Sequence, residues 1–408
     1  MKKLLLLLII PFLSFGQGWE QTYDYDDDEG WDVKQTSDGG YIISGHTYTS
    51  ELNIDGRALL IKTDENGNQQ WMKTFLGEDN GIAYSRSVQE ASDGGYIICA
   101  TSTFNLSMGR DVILIKTDEN GNQQWMKNYN YCNVFGPAFC YESLTEIDPV
   151  VNKTNDGGYI IAVTQLDENG DVITVNDKYV GLIKTDGNGN LEWYKSFGEI
   201  GSGDEFFAKS VQQTNDGGYI ITGDVKYYTN FTYNWDLYLI KTDENGNESL
   251  FEIYSNYGIE TGWSIKQSED EGYIIAGVVD DGDGNNENVL FRKIDESLNT
   301  IEWTQTFGGV GLENGYSFDI TNEGGYVITG DIVTPNSNSF DVYLIKTDEN
   351  GEEEWSRVIG QDEENEFGRT VKQTNDGGYI IAGTKGDDIL LIKTDSEGNV
   401  TFTNIIET

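Results

Sequence analysis

The chain has 408 residues, 49 of them glycine and 4 proline, with aromatic residues at 12%. That aromatic content excludes a disordered chain, and the length allows two or three ordinary domains or one large repetitive one. A formal net charge of −44 excludes a protein that binds nucleic acid or anionic membranes through its overall field.

Residues 1–16 read MKKLLLLLIIPFLSFG: two lysines, an apolar run, then small residues. This is the pattern of a secretory signal peptide, with cleavage expected before Gln17. The run is too short for a mature anchor, no cysteine follows it for lipidation, and no later stretch reaches a membrane-spanning length. Residues 17–408 are then expected to form one exported domain with no membrane insertion, secreted, at the cell surface or in the periplasm. Loss of Lys2 and Lys3 leaves 24 basic against 70 acidic side chains, a net charge of −46.

Beyond the leader, a motif of the form NDGGYIIAG recurs. Its tyrosines are Tyr41, Tyr96, Tyr159, Tyr219, Tyr273, Tyr326 and Tyr379, spaced by 55, 63, 60, 54, 53 and 53 residues. A period of this size marks stacked supersecondary units. Each unit carries four strand signals, of the types SVQQT, GGYIIxG, VYLIKTD and EEWSRVIG, rich in β-branched and aromatic residues and without helical periodicity. The turn TNDGG joins the first two and DENGN the last two; in both, glycine supplies the positive φ of a tight hairpin. Seven four-stranded antiparallel units without helices predict an all-β fold, a seven-bladed β-propeller. Trp19 to Tyr23 reads as an extra fourth strand and residues 400–406 as the last blade's own, so N- and C-terminal strands together close the ring. Which of the two lies outermost stays open.

An aspartate stands seven residues before a tryptophan in Asp64/Trp71, Asp118/Trp125, Asp186/Trp193 and Asp348/Trp355; Asp295/Trp303 has one extra residue, and Leu250 and Phe402 replace the tryptophan elsewhere. This pattern resembles the tryptophan-docking motif of quinoprotein-type, PQQ-like propellers, in which an Ala-x-Asp…Gly…Trp element joins neighbouring blades. The resemblance covers nearly all of residues 19–408 and implies a fold more than an activity. Quinoprotein dehydrogenases are larger, usually eight-bladed, and use calcium beside their cofactor; no adjacent cysteine pair or haem segment supports that activity here. The DGGYII repeats also resemble those of bacterial secreted and surface proteins.

In such a blade the TNDGG and DENGN turns share one monotonous face, while the remaining connections, varied in length and chemistry, share the other. Binding sites sit in loops on a rigid frame, so the varied face is the expected functional face. Aromatic stretches there include residues 128–151 and KYYTNFTYNW at 226–235, which reads as a loop suited to stacking on sugars or anchoring a protein. Five residues before the end of each first strand stand Trp31, Arg86, Pro149, Lys209, Trp263, Tyr316 and Arg369. First strands line the channel, so Trp31, Arg86, Lys209, Trp263, Tyr316 and Arg369 are the candidate ligand-binding residues at its mouth. Three aromatics and three cations there suit a sugar bearing carboxylate or sulfate groups. Asp28, Glu146, Glu205, Glu260, Glu313 and Glu366 form an acidic series just upstream, expected to staple each blade through nearby cations and N–H groups.

Catalytic signatures are sparse. The single histidine, His46, has no partner for a triad or zinc site and reads as a polar loop residue. Asp281, Asp283 and Asn285 alternate as in a calcium loop but lack its glycine and glutamate, so no cofactor is expected, with calcium as the alternative. Cys132 and Cys140 flank CNVFGPAFC and are expected to form a disulfide in an exported chain; Cys99, in YIICA, is expected to be a buried thiol. The reading is therefore a monomeric, non-enzymatic propeller that binds a polysaccharide or cell-surface protein. The alternatives are a carbohydrate-active enzyme of glycoside hydrolase type using loop carboxylates, or a scaffold subunit of an envelope complex.

Overall fold

The computed structural model describes residues 18–48, 56–77, 81–103, 111–129, 148–166, 178–198, 204–229, 232–255, 258–280, 287–309, 311–333, 339–360 and 364–400. They form seven antiparallel four-stranded blades around a central channel, with no helix. The innermost strands are Asp27–Gln35, Ile82–Glu90, Val150–Lys153, Glu205–Gln213, Glu260–Gln267, Glu313–Ile320 and Glu366–Gln373. The N-terminal strand Trp19–Tyr23 pairs antiparallel with Asp388–Thr394 and supplies the fourth strand of blade seven. The first and last described strands are thus laced together. Residues 401–406, the other candidate for this strand, lie outside the described residues.

There is no single core. Seven apolar clusters each lie between two neighbouring blades, such as Ile42, Leu60 and Phe75 of blade one against Val88, Ile98 and Ile113 of blade two. The second and third strands of a blade therefore bury both faces, and their side chains form continuous apolar runs rather than alternating ones. Full burial of one such side chain is worth about 1.5–3 kcal/mol.

The repeated motifs lock this arrangement. In blade seven, Asp376 Oδ1 accepts bonds from the Thr374 hydroxyl at 2.6 Å and Gly378 N–H at 3.1 Å, and its carboxylate pairs with Lys393 at 3.0 Å. The NDGG aspartate thus answers the lysine of LIKTD in its own blade. Equivalent pairs are Asp38–Lys62, Asp93–Lys116, Asp156–Lys184 and Asp216–Lys241. In the DENGN turn, Asp64 accepts the Asn66 and Asn68 N–H groups, while Gly67 holds φ at 78°. Tryptophan and motif tyrosine meet across blades: ring centres are 5.8 Å apart for Trp71–Tyr96, 5.7 Å for Trp193–Tyr219 and 6.0 Å for Trp355–Tyr379. The same tryptophans lie on the next blade's turn glycine; a Cβ on Gly246 would come within 2.6 Å of the Trp193 ring.

The final glycine of NDGGYIIAG has its own cause. A Cβ on Gly383 would stand 1.6 Å from the Phe367 carbonyl oxygen of the innermost strand. Only glycine admits that approach, and it occurs where the innermost strand bulges.

Candidate functional site

Each innermost strand except the short one of blade three breaks its register once. The breaks fall between Gly30 and Asp32, Ser85 and Ser87, Ala208 and Ser210, Gly262 and Ser264, Gly315 and Ser317, and Gly368 and Thr370. The extra residues are Trp31, Arg86, Lys209, Trp263, Tyr316 and Arg369. A bulge releases its residue from pairing and re-aims the side chain. Here it sends all six into the wall of the central channel.

The six side chains are in contact with one another. The Arg86 guanidinium lies 3.6 Å from the centre of the Trp31 ring, and Arg369 lies 5.0 Å from the same ring. Arg369 is also 4.7 Å from Tyr316, which meets Trp263 edge-on at 5.1 Å. Lys209 Nζ lies 4.3 Å from Trp263. In blade three Pro149 has no such side chain, and its neighbour Asp148 completes the circuit, 2.9 Å from Arg86 Nε and 3.9 Å from Lys209 Nζ. The result is a closed belt with one member per blade. Trp31 is flanked by two guanidiniums and Trp263 is covered by an ammonium, so these rings hold cations in place rather than offering free faces to a sugar.

Two tiers lie below the belt. Because of the bulge, the next residue also faces the channel: Asp32, Ser87, Ser210, Ser264, Ser317 and Thr370. Asp32 accepts the Val88 N–H at 3.1 Å and pairs with Lys34 at 2.6 Å. Deeper stand Lys34, Gln89, Asn152, Gln212, Lys266 and Lys372, with Asp319 paired to both Lys266 and Lys372. Sequence reading missed this tier, because a plain two-residue alternation from the belt position does not reach it. Burial and the charges of Lys372 and Lys34 push Lys266 down to about 8, against the pull of Asp319. Burial opposes ionisation of Asp319, but Lys372 and Lys266 hold it at about 2. One carboxylate serves two ammoniums while the lysines repel one another, which moves both groups downward.

The channel encloses about 640 Å³. Among the described residues its wall carries six cations, Lys34, Arg86, Lys209, Lys266, Arg369 and Lys372, against Glu29, Asp32 and Asp148, with Asp319 paired behind Lys266 and Lys372. A chain of charge −44 thus concentrates positive charge at its axis. Arg369 Nε is buried and has no hydrogen-bond acceptor.

The upstream acidic series serves the blades instead. Glu260 makes a two-point pair with Arg292 at 2.8 and 3.3 Å, Glu366 pairs with Lys385 at 2.9 Å and Glu205 with Lys226 at 3.3 Å. Asp28 accepts the Tyr25 N–H at 2.8 Å. His46 departs from its expected loop position. It is 3% exposed within the strand Tyr41–Tyr48, wedged between Tyr48 and Tyr84 at 5.3 and 5.0 Å. Burial, aided by the Arg86 charge, lowers it to about 3, so it is neutral at physiological pH. The reason is that blade one's second strand outruns the motif and buries its end against blade two.

The stretch KYYTNFTYNW also departs from its expectation as a loop. Strands Tyr219–Thr229 and Thr232–Thr242 continue their pairing to Thr229 and Thr232, making the longest paired strands among the described residues. Cys99 is a buried free thiol whose pKa burial raises. The signal peptide, Cys132 and Cys140, Glu146, and Asp281, Asp283 and Asn285 lie outside the described residues. Among the described residues no group of three His, Cys, Asp or Glu could hold a metal, and no helix is long and apolar enough to cross a membrane.

No family model and no curated protein matches the chain. Solved structures do. The α-L-arabinanase of Penicillium chrysogenum in complex with arabinobiose is 12% identical with a TM-score of 0.51, over 93% of this chain and 98% of that one. Sqt1 of Chaetomium thermophilum is 11% identical with a TM-score of 0.49, over 92% and 97%. The polysaccharide lyase Uly1 is 11% identical with a TM-score of 0.48, over 89% of both chains. At such identities the likeness is one of fold.

Proposed function

We propose that this protein is an exported, monomeric, non-enzymatic binding propeller of residues 17–408. It takes an anionic glycan, carrying carboxylate or sulfate groups, at the varied-face mouth of its channel. The observation that carries this reading is the belt itself. Arg86, Lys209 and Arg369 are held against Trp31, Tyr316 and Trp263, so their cationic groups are positioned before any ligand arrives. The serine and threonine tier and the amides of Gln89, Asn152 and Gln212 add the hydrogen-bonding partners that sugar hydroxyls need. The Trp-on-glycine contacts between blades support assigning the repeats to the tryptophan-docking type.

Binding is favoured over glycoside hydrolysis by the state of the carboxylates. Burial lifts Asp224 to about 6 and Glu366 to about 7, the range useful to a general acid. Both are buried outside the channel wall, Asp224 on the Gly262 N–H and Glu366 on Lys385. The carboxylates that do line the channel are engaged: Asp32 with Lys34, Asp148 with Arg86, and Glu29 with the Trp31 indole N–H at 3.1 Å.

The test is a binding screen of mature protein from Gln17 against neutral and anionic polysaccharides, with Trp263→Ala and Arg369→Ala as controls. Anionic ligands bound by the wild type and lost in both folded variants are the expected result. No binding across the panel would remove the glycan reading in favour of a protein partner, and turnover of a bound glycan would replace it with the enzymatic one.

A further inference from the structure

Among the described residues, the second strand of blade four differs from its six counterparts in length and in chemistry. It has 11 residues where the others have 7 or 8. Three or four more paired residues lengthen this strand by about 10–13 Å. Register places Lys226 opposite Trp235 and Tyr228 opposite Tyr233, so all four side chains share one face of the ribbon. Tyr228 and Tyr233 meet at 5.0 Å with their rings tilted by 58°, yet remain 57% and 64% exposed.

These side chains connect to the belt without a gap. Lys209 lies 4.3 Å from Trp263 and 6.0 Å from Phe207 on its other side. Phe207 meets Trp235 at 5.4 Å, and Lys226 lies 5.6 Å from Trp235 and 4.5 Å from Tyr233. The order from channel to tip is Trp263, Lys209, Phe207, Trp235, Lys226, Tyr233, Tyr228. Lys209 lies 3.9 Å from Asp148 and Lys226 lies 3.3 Å from Glu205.

The opposite ribbon face anchors the structure. The Tyr227 hydroxyl donates to Asp236 at 2.6 Å, and at the tip Asn234 Nδ2 donates to Thr229 Oγ1 at 3.0 Å. The track is therefore ordered in advance, which lowers the entropy lost on binding.

We infer that the ligand is a polymer: an anionic polysaccharide chain whose one segment enters the belt while its continuation lies along the aromatic and lysine track of the blade-four hairpin. This rests on the proposed channel site and adds to it a length requirement. The exposed Tyr228 and Tyr233 rings, beside the Lys226 and Lys209 ammonium groups, match a chain that carries acidic substituents next to its sugar faces. A free monosaccharide or a small oxyanion would fill the belt and leave the track unused.

The experiment uses the mature protein and two probes of defined length, oligogalacturonides and heparin-derived fragments, each from disaccharide to dodecasaccharide. Affinity of the wild type should rise with length. The double variant Tyr228→Ala/Tyr233→Ala should lose about tenfold on the long fragments and nothing on the disaccharide. Both substituted residues are exposed, so folding is not at stake. Arg369→Ala reports on the belt separately by weakening every length.

Affinity independent of length, or a rise that survives in the double variant, overturns the track and leaves the channel site standing. Failure of both probes at every length overturns the channel site and the track with it. Glycan binding unchanged in the double variant, together with loss of a protein that copurifies with the wild type, would assign the hairpin to a protein contact and overturn the inference.

Discussion

Arg86 lies 3.6 Å from the centre of the Trp31 ring while its Nε faces Asp148 at 2.9 Å. Three blades meet in that one guanidinium, with the cation over the ring and a carboxylate at its Nε. A lysine in the same place would keep the charge but lose the stacking and the directional fork. Arg86→Lys should therefore leave thermal stability nearly unchanged and weaken anionic glycan binding about tenfold, within the range of one well-placed cation–π contact. Titration calorimetry beside a melting curve reads both; equal affinity for the two proteins would remove the belt's role.

The lysine tier makes opposite pH effects on binding and stability. In the folded protein Lys266 sits at about 8, below the ordinary value of a lysine. Above pH 8 the folded protein loses this proton, so affinity for an anion that reaches the tier should fall between pH 7 and 9. The unfolded chain still holds the proton there, so ligand-free stability should rise from pH 8 towards 10. Lys266→Met should flatten both trends, and a wild-type profile as flat as the variant's would contradict the assignment.

Acid should attack a different set of groups. Burial opposes ionisation of Asp38 and Asp156, but hydroxyl, lysine and N–H partners outweigh it and hold both at about 2. Their folded pKa values lie below the ordinary aspartate value, so their stabilisation is present above pH 4 and lost as pH falls towards 2. Melting temperature should rise slightly from pH 7 to 5, as buried Asp224 and Glu366 take up protons in the folded state, and then drop between pH 4 and 2. Asp38→Asn together with Asp156→Asn should shrink that drop.

Trp193 carries a blade junction. It packs on Tyr219 at 5.7 Å and on the Gly246 turn of the next blade. Trp193→Ala should destabilise by about 3–5 kcal/mol in denaturant unfolding. A near-neutral result would mean that the junction is held elsewhere.

Repeat period, strand order and turn chemistry are legible in the sequence because each motif is a local solution used seven times. The NDGG aspartate, the DENGN aspartate and the tight-turn glycines act within four or five residues of themselves, or on a lysine of the same blade. The belt positions are legible too, since they hold a constant distance from the end of each innermost strand. What the belt does with them is not. That Arg86 covers Trp31, and that Lys209 covers Trp263, depends on side chains brought together by ring closure.

The deeper lysine tier is hidden for a second reason: one bulged residue shifts the two-residue alternation, so Lys34, Lys266 and Lys372 do not follow from Trp31, Trp263 and Arg369 by counting in twos. The end of blade one's second strand shows a third limit. The burial of His46 depends on Tyr84 of blade two as well as on its own strand neighbour Tyr48, and the long hairpin of blade four reads as a loop because its strands cross the usual motif length.

The most direct measurement compares one polymer with and without its charge. Binding of a polyuronate and of its carboxyl-reduced, neutral counterpart would be measured on the same mature protein by calorimetry at moderate salt. The expected result is binding of the polyuronate, abolished by Arg369→Ala and weakened by salt, with none for the neutral polymer. Equal binding of the two polymers, or polyuronate binding indifferent to Arg369, would contradict a channel that selects its ligand by charge.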